Sequence, residues 1–424
     1  MCRLGAVLVS RGGAPVAQKK VIAVIFGGRS VEHDVSVLTG LQFLEALDPG
    51  RYDGLPIYVD PLGQWWTGEA LLRRSHYPLK SAAHKDLRQV MLDLATPANG
   101  QPQLVSFSKG LMGEKRTVIP FDLMVPAIHG SNGEDGSLQG MLEFADIPFA
   151  GCRSLGAAAT MDKVFAKSAA RTGGIKVLPE LALDRPAKGI FLDPATLEGQ
   201  LKEAFGTLKF PYIVKPCNLG SSVGVGKADD MDGLVAALMS AFRLDSRVIV
   251  EPFVANLTEY NIAVRRSSAG AILTSAIERP LRKAELLDFK NKYLAGGEPG
   301  GPKLDSGPSE GMASLNRELN PSDLSDAQET FVRNSASRMF DLLSLAGSVR
   351  VDFLSNSETG ELWLNEVNTI PGSFAYFLWE AAAEPTSFLE LTSAIIDEGF
   401  RLSAERLGST DSGLGGATIF KAKD

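Results

Sequence analysis

Apolar runs and their boundaries mark the first elements of the chain. Val21 to Phe26 is continuously apolar and stops at Gly27-Gly28, the pattern of a parallel strand buried on both faces. A helix is predicted over Ser36 to Leu47. The intervening loop, Arg29 to Asp34, lies at the strand's carboxyl end, where open α/β sheets hold ligands. Gly54 to Val59 reads as a second strand, and Phe121 to Ile128 as another buried one that ends at His129-Gly130. Residues 61–118 show no sustained period and receive no element. Leu138 to Phe144 reads as helix, and residues 147–151 close a first α/β domain.

Further along, a helix is predicted over Asp162 to Thr172, stopped by Gly173-Gly174. Tyr212 to Pro216 reads as a strand, followed by a glycine-rich loop and a second short strand. Met231 to Phe242 is an amphipathic helix, and Val248 to Glu251 a strand. Strands resume at Tyr260. Residues 295–311 are rich in Gly, Pro and Ser, a length and composition that predict a lid or disorder. Ser325 to Leu345 is predicted as helix with room for a break, Ser387 to Leu402 as a closing helix, and residues 403–424 as a frayed tail.

The most telling pattern lies between those last two helices. Arg350-Val351-Asp352-Phe353 and Trp363 to Thr369 alternate apolar with polar residues, and the polar Ser355 to Gly360 between them predicts a hairpin. Residues two apart in a strand share a face, so Arg350 projects with Asp352, and Glu366 with Asn368. Two carboxylates and an amide are hard oxygen ligands suited to magnesium, which takes the rest of its shell from water and phosphate. The guanidinium suits an oxyanion. The combination points to nucleotide-driven chemistry.

Bulk properties narrow the class. The chain has 424 residues, 44% hydrophobic and 22% charged, enough for two or three domains with cores of their own. A net charge of -7 argues against nucleic acid as the main partner. No apolar run approaches the ~18 residues of a membrane span. Residues 1–20 lack the apolar core of a secretory signal and read as a flexible extension. Cys2, Cys152 and Cys217 are isolated and odd in number, which fits a reducing cytoplasm, and the four histidines show no paired metal spacing.

Several other residues admit two readings each. Gly220 to Gly226 follows Val214-Lys215-Pro216 and is either a plain hairpin loop or a flap whose amides approach phosphate. The Gly-Lys-Ser/Thr ending of a Walker loop is absent. Glu32 either caps a helix start or holds a substrate ammonium. Glu134 and Asp135 read as charges at a helix start, and His129 as a structural or a site histidine at the sheet's ligand edge. Asp162 is suited to capping. Lys163, Glu251 and Glu259 are either surface charges or site residues.

The joint order of these blocks resembles the D-alanine–D-alanine ligase family of the ATP-grasp superfamily. The blocks are VIAVIFGGRSVEHDVS, HGSNGEDGSLQGMLEFADIPFAGC, MDKVFAK, FPYIVKPCNLGSSVGVGK, DFKNKYL, SVRVDF and LWLNEVNTIPG, running from Val21 to Gly372. The resemblance implies a three-domain α/β ATP-grasp chain, with an N-terminal pre-ATP-grasp domain and two ATP-grasp domains. They are an N-terminal parallel α/β substrate-binding domain (residues 21–151), a central α+β ATP-grasp domain (152–251) and a C-terminal α+β catalytic domain (252–402). It implies ATP and Mg2+ (or Mn2+), amino-acid substrates, a cytoplasmic homodimer, and no nucleic-acid or membrane partner. By position, Lys163, Lys215, Ser222, Glu251, Glu259 and Lys292 correspond to ATP contacts. Asp352, Glu366 and Asn368 correspond to metal ligands. Glu32, Ser221 and Tyr293 match a trio around the first substrate, with Arg350 and Gly372 at the oxyanion site and His129 near the first carboxylate. The implied reaction joins two D-alanines through an acyl phosphate for peptidoglycan. After Gly372 the chain is shorter and more aromatic than the family pattern, Ser373 to Glu380. Ser373 is the candidate for the second carboxylate, and a different amino-acid or hydroxy-acid acceptor stands as the alternative.

Overall fold

The computed structural model describes residues 18–77, 86–95, 100–110, 113–187, 192–281 and 317–411. The expected sites at Lys292 and Tyr293, and the expected lid at residues 295–311, lie outside the described residues.

The first sheet has the order β6-β5-β4-β3-β2-β1-β7. Its core is parallel: β1 (Lys20–Gly27) lies between β2 (Tyr52–Val59) and β7 (Leu123–Pro126). Both faces of β1 are covered. Ile22, Val24 and Phe26 pack with Phe43 of helix α1 (His33–Glu45), while Ala23 and Ile25 pack with Leu138 and Leu142 of α2 (Ser137–Phe144). Burial on two sides is why this strand is an unbroken apolar run.

Residues 61–118, assigned no element from sequence, add four antiparallel strands: β3 (Trp65–Thr67), β4 (Arg88–Leu92), β5 (Gln103–Gly110) and β6 (Gly113–Pro120). Most of β6 is exposed, so no buried face imposes an alternating pattern on it.

The central sheet, β10-β9-β11-β8, contains β8 (Leu181–Asp184), β9 (Tyr212–Pro216), β10 (Gly226–Ala228) and β11 (Arg247–Pro252). Helices α5 (Pro194–Phe205) and α6 (Met231–Ala241) cover it. The glycine-rich segment joins antiparallel β9 and β10, as expected.

The third sheet, β14-β13-β12-β15-β16, contains β12 (Leu257–Arg266), β13 (Ile272–Pro280), β14 (Arg317–Leu319), β15 (Val349–Asn356) and β16 (Leu362–Asn368). Helix α7 (Asp326–Leu342) packs on it and opens with a capping box between Ser325 and Gln328. Helices α3 (Ser154–Met161) and α4 (Lys163–Thr172) share this same core. The change of hydrophobic core therefore falls after α4.

The chain then returns to the first domain. Helix α9 (Phe388–Asp411) continues past the expected end at Leu402, because Ser403 is buried and Arg406 donates to the Glu143 carbonyl at 2.7 Å. Between β16 and α9 runs the aromatic segment with the short helix α8 (Tyr376–Glu380). Its rings pack in the core. Phe374 lies 4.8 Å from Phe43, and Trp379 is 2% exposed beneath the Arg265 guanidinium. Trp379 Nε1 donates to Ser348 Oγ at 2.9 Å, and that hydroxyl donates to the Phe374 carbonyl at 2.7 Å. Replacing Trp379 by Ala should therefore destabilise the protein by about 3–5 kcal/mol, read as a lower urea midpoint. An unchanged midpoint would remove this seam from the structural core.

Candidate active site

Two clefts meet over the β15–β16 hairpin. The cross-strand register pairs Arg350 with Asn368 and Asp352 with Glu366, so all four side chains share a face, as their spacing predicts. A β-bulge beyond Asp352 leaves Asn365 as an extra residue on β16. Asn365 and Glu366 consequently both line the second cleft, although neighbours in a regular strand would diverge. That shift hides Asn365 from a period-2 reading.

The first cleft, about 650 Å3, lies between the first domain and the hairpin. Glu32 stands at the carboxyl end of β1 and precedes α1 without making a side-chain cap bond. Its carboxylate instead accepts the Ser221 hydroxyl from the β9–β10 loop. Gly130, at φ +71°, leaves room for this carboxylate: a Cβ there would lie 2.6 Å from Glu32 Oε2. His129 is buried. Its backbone N–H donates to Ser36 Oγ at 2.8 Å, and Nε2 lies 2.9 Å from Thr39 Oγ1. Burial, with Arg350 adding to it, pulls the imidazole down to about 3, so the ring is neutral.

Glu134 is a further cleft residue. It accepts the Gly130 and Ile370 N–H groups at 2.8 and 3.0 Å, linking the two walls. Burial and the nearby Glu32 push its carboxyl up, against those two N–H donors. From sequence it read as a helix-start charge, because Ile370 lies far along the chain.

At the hairpin, Arg350 is bidentate on Asp352, Nε to Oδ1 at 2.6 Å and Nη2 to Oδ2 at 2.7 Å. Asn368 Nδ2 donates to the same Oδ2 at 3.1 Å. Gly372 lines the first cleft, but Ser373 does not. Ser373 is fully buried, with its hydroxyl on Gln42 Oε1 and its N–H on Thr39 Oγ1. None of residues 374–380 lines either cleft.

The second cleft, about 1010 Å3, lies between the central and third sheets and is lined by Lys215, Ser222, Glu251, Glu259, Asp352 and Glu366, among others. Lys163 reaches both clefts from the start of α4, whose cap Asp162 accepts the Val164 and Phe165 N–H groups. Its ammonium donates to the Leu219 carbonyl at 2.6 Å. Lys215 Nζ lies 2.6 Å from Glu251 and 3.1 Å from Asn365 Oδ1. Burial lowers Lys215 to about 8, while Glu366 acts the other way. Glu251 is also paired with Lys167, a fully buried residue one turn after Lys163. Burial, with Lys215 adding to it, lowers Lys167 to about 7. Lys167 reaches neither cleft directly. Its four-residue spacing from Lys163 was the available sequence signal.

The donor set at Asp352, Glu366 and Asn368 fits a hard divalent cation that borrows phosphate oxygens, since two carboxylates and one amide oxygen come from one face of the β15–β16 hairpin. Among the described residues no cluster of three His, Cys, Asp or Glu suits a metal ion, and no helix is long and apolar enough to cross a membrane.

Comparison with known proteins agrees with this geometry. Residues 21–152 match the model for "D-ala D-ala ligase N-terminus", and residues 190–397 the model for "D-ala D-ala ligase C-terminus". The chain is 33% identical to the D-alanine–D-alanine ligase A of Bradyrhizobium diazoefficiens, over 90% of this chain and 95% of that one. It is 32% identical to the D-alanine–D-alanine ligase of Heliobacterium modesticaldum, over 92% and 96%. Among solved structures, the D-alanine-D-alanine ligase from Coxiella burnetii superposes with a TM-score of 0.69 at 24% identity, covering 93% of this chain and all of that one. The VanG D-Ala:D-Ser ligase from Enterococcus faecalis does so with a TM-score of 0.66 at 27% identity, covering 90% and 100%. Two domain models in order and relatives above 30% identity along nearly the full length establish that the chain belongs to the D-alanine–D-alanine ligase family.

Proposed function

We propose that this protein joins two D-alanines with ATP, through an acyl phosphate, to supply D-alanyl-D-alanine for peptidoglycan. The observation that carries the reading is the hairpin face shared by the two clefts. Arg350 and Asn368 open on one cleft, Asp352 on the other, and Glu366 on both. A carboxylate bound in the first cleft would thus lie next to a triphosphate bound in the second.

ATP would occupy the second cleft, with Lys163 and Lys215 on its phosphates and Glu259 toward its nucleoside end. Asp352, Glu366 and Asn368 would hold magnesium, which when bound neutralises phosphate charge. The first D-alanine would sit against Glu32, Ser221 and His129. Its carboxylate oxygen bonds to the γ-phosphorus as the bond to the ADP oxygen breaks. The neutral amine of the second D-alanine then attacks the acyl carbon. Arg350 and the Gly372 N–H would hold the tetrahedral oxyanion until inorganic phosphate leaves with its C–O bond. The Asp352 contact fixes the guanidinium plane beforehand, which is how such stabilisation works without reorganisation. The aromatic run that suggested a different acceptor is buried packing, so it lends no weight to that alternative.

The reading is tested by following phosphate release from ATP with single and paired D- and L-amino acids. Release should require D-alanine and a divalent cation, and mass spectrometry should find the D,D-dipeptide. Turnover only with another acceptor would reject the substrate assignment. Arg350→Ala should lower kcat by about 10²–10³-fold with the fold retained, as loss of one oxyanion donor does. A variant turning over like wild type would take Arg350 out of the mechanism.

We also propose a homodimer. Phe144, Leu155 and Phe165 stand exposed at 85%, 80% and 64% on α2, α3 and α4, helices that pack in sequence. Exposed apolar side chains of this size on three neighbouring helices suit a second copy of the same surface. Sedimentation should show a dimer that Leu155→Asp converts to monomer. A monomeric wild-type protein would end this proposal.

A further inference from the structure

The ring of His129 is held from behind by helix α1, and this arrangement fixes more than position. Ser36 and Thr39 lie one turn apart on α1. Ser36 Oγ donates to the Glu32 carbonyl at 3.1 Å and accepts the His129 backbone N–H at 2.8 Å. Thr39 is 0% exposed, so its single hydroxyl proton needs a protein acceptor. The Ser373 N–H already points at Thr39 Oγ1 as a donor, at 3.1 Å. Among the described residues, the one acceptor placed for the Thr39 proton is His129 Nε2, at 2.9 Å.

A hydroxyl that donates to Nε2 requires that nitrogen to be unprotonated, and in a neutral imidazole the proton then sits on Nδ1. Nδ1 lies 3.9 Å from Glu134 Oε2, too far for a hydrogen bond, and both residues line the first cleft. We propose that Thr39 is a positioning residue: it fixes His129 in the Nδ1–H tautomer and thereby makes the ring a hydrogen-bond donor to a substrate carboxylate instead of a proton acceptor. The donor role rests on the proposed placement of the first amino acid; the tautomer does not. In this tautomer Nδ1, the nitrogen on the Glu134 side, has no lone pair for an incoming ammonium's proton. The amine must lose its proton elsewhere.

The test is a 15N–1H correlation spectrum of the histidine rings in the full-length protein, without substrate. The chain has four histidines, and His129→Gln identifies the signal. Wild type should show a pyridine-type Nε2 and a pyrrole-type Nδ1. Thr39→Val should lose this pattern and raise KM for the first amino acid roughly tenfold or more, with a smaller change in kcat. That is the scale of one hydrogen bond to a charged group. Thr39→Ser keeps the hydroxyl and should retain both the spectrum and the KM, which separates this role from packing. A pyrrole-type Nε2 in wild type overturns the proposal whatever the turnover assays give. So does a Thr39→Val protein with the wild-type spectrum and KM.

Discussion

Everything the two clefts can do depends on the register of β15 against β16. The bulge beyond Asp352 turns Asn365 and Glu366 toward the same cleft, so one strand presents consecutive polar side chains without abandoning its buried Leu364 and Val367. A slip of one residue would send Asp352 and Glu366 into the apolar core beneath the sheet. Val351, Phe353, Leu364 and Val367 all belong to that core, together with α3, α4 and α7. Burial of one face therefore fixes the chemistry of the other.

A second constraint is the turn that follows. Ser373, Phe374 and Ala375 all adopt left-handed backbone, at φ 53°, 53° and 54°. Such conformations cost non-glycine residues about 1–2 kcal/mol each. The turn is over-determined from three sides. Thr39 and Gln42 on α1 hold Ser373, Ser348 on the third sheet holds the Phe374 carbonyl, and Phe43 packs on the Phe374 ring. Glu134 adds its bond to the Ile370 N–H. Gly372 is thus positioned by both the first domain and the third sheet. Strain held in this way next to a candidate oxyanion donor is a common arrangement at functional sites.

The sequence was legible where one face is buried and the element is local. β1, β7, α4 and the β15–β16 hairpin fall where periodicity put them, and the cap at Asp162 and the helix start at Ser325 are visible as short-range signals. β3 to β6 were not, because strands largely exposed on their outer members carry no alternating pattern. Long-range partners were also hidden. Glu134 finds the Ile370 N–H across 236 positions, and Ser373 finds Gln42 across 331. The hydroxyl of Ser373 suggested a ligand contact; its packing shows why composition alone could not decide, since a buried hydroxyl needs a partner whether or not a substrate is near. The aromatic run after Gly372 misled for the same reason. Rings suit a pocket wall and a domain seam equally well, and only the position of α1 and α9 decides between them.

The charges behind the second cleft impose a final condition. Glu251 is 2% exposed and lies between Lys167 and Lys215. A carboxylate so buried would be untenable alone, and removing one partner of a buried pair typically costs about 3–5 kcal/mol. Lys167 also approaches Glu180, at 3.5 Å, which in turn pairs with Arg171 near the surface. The row runs from solvent to Asn365 on the β16 bulge, and it crosses from α4, in the third-sheet core, to β9 and β11 of the central sheet. It therefore does two things with one set of side chains. It neutralises the floor of the second cleft, and it ties together the two bodies whose separation defines that cleft's width. Hydrophobic contacts could supply the second without the first. The use of buried charge here follows from the need to keep Lys215 close to the cleft and still held: an ammonium shared with Glu251 and Asn365 stays in place, while its lowered basicity reflects how little water surrounds it.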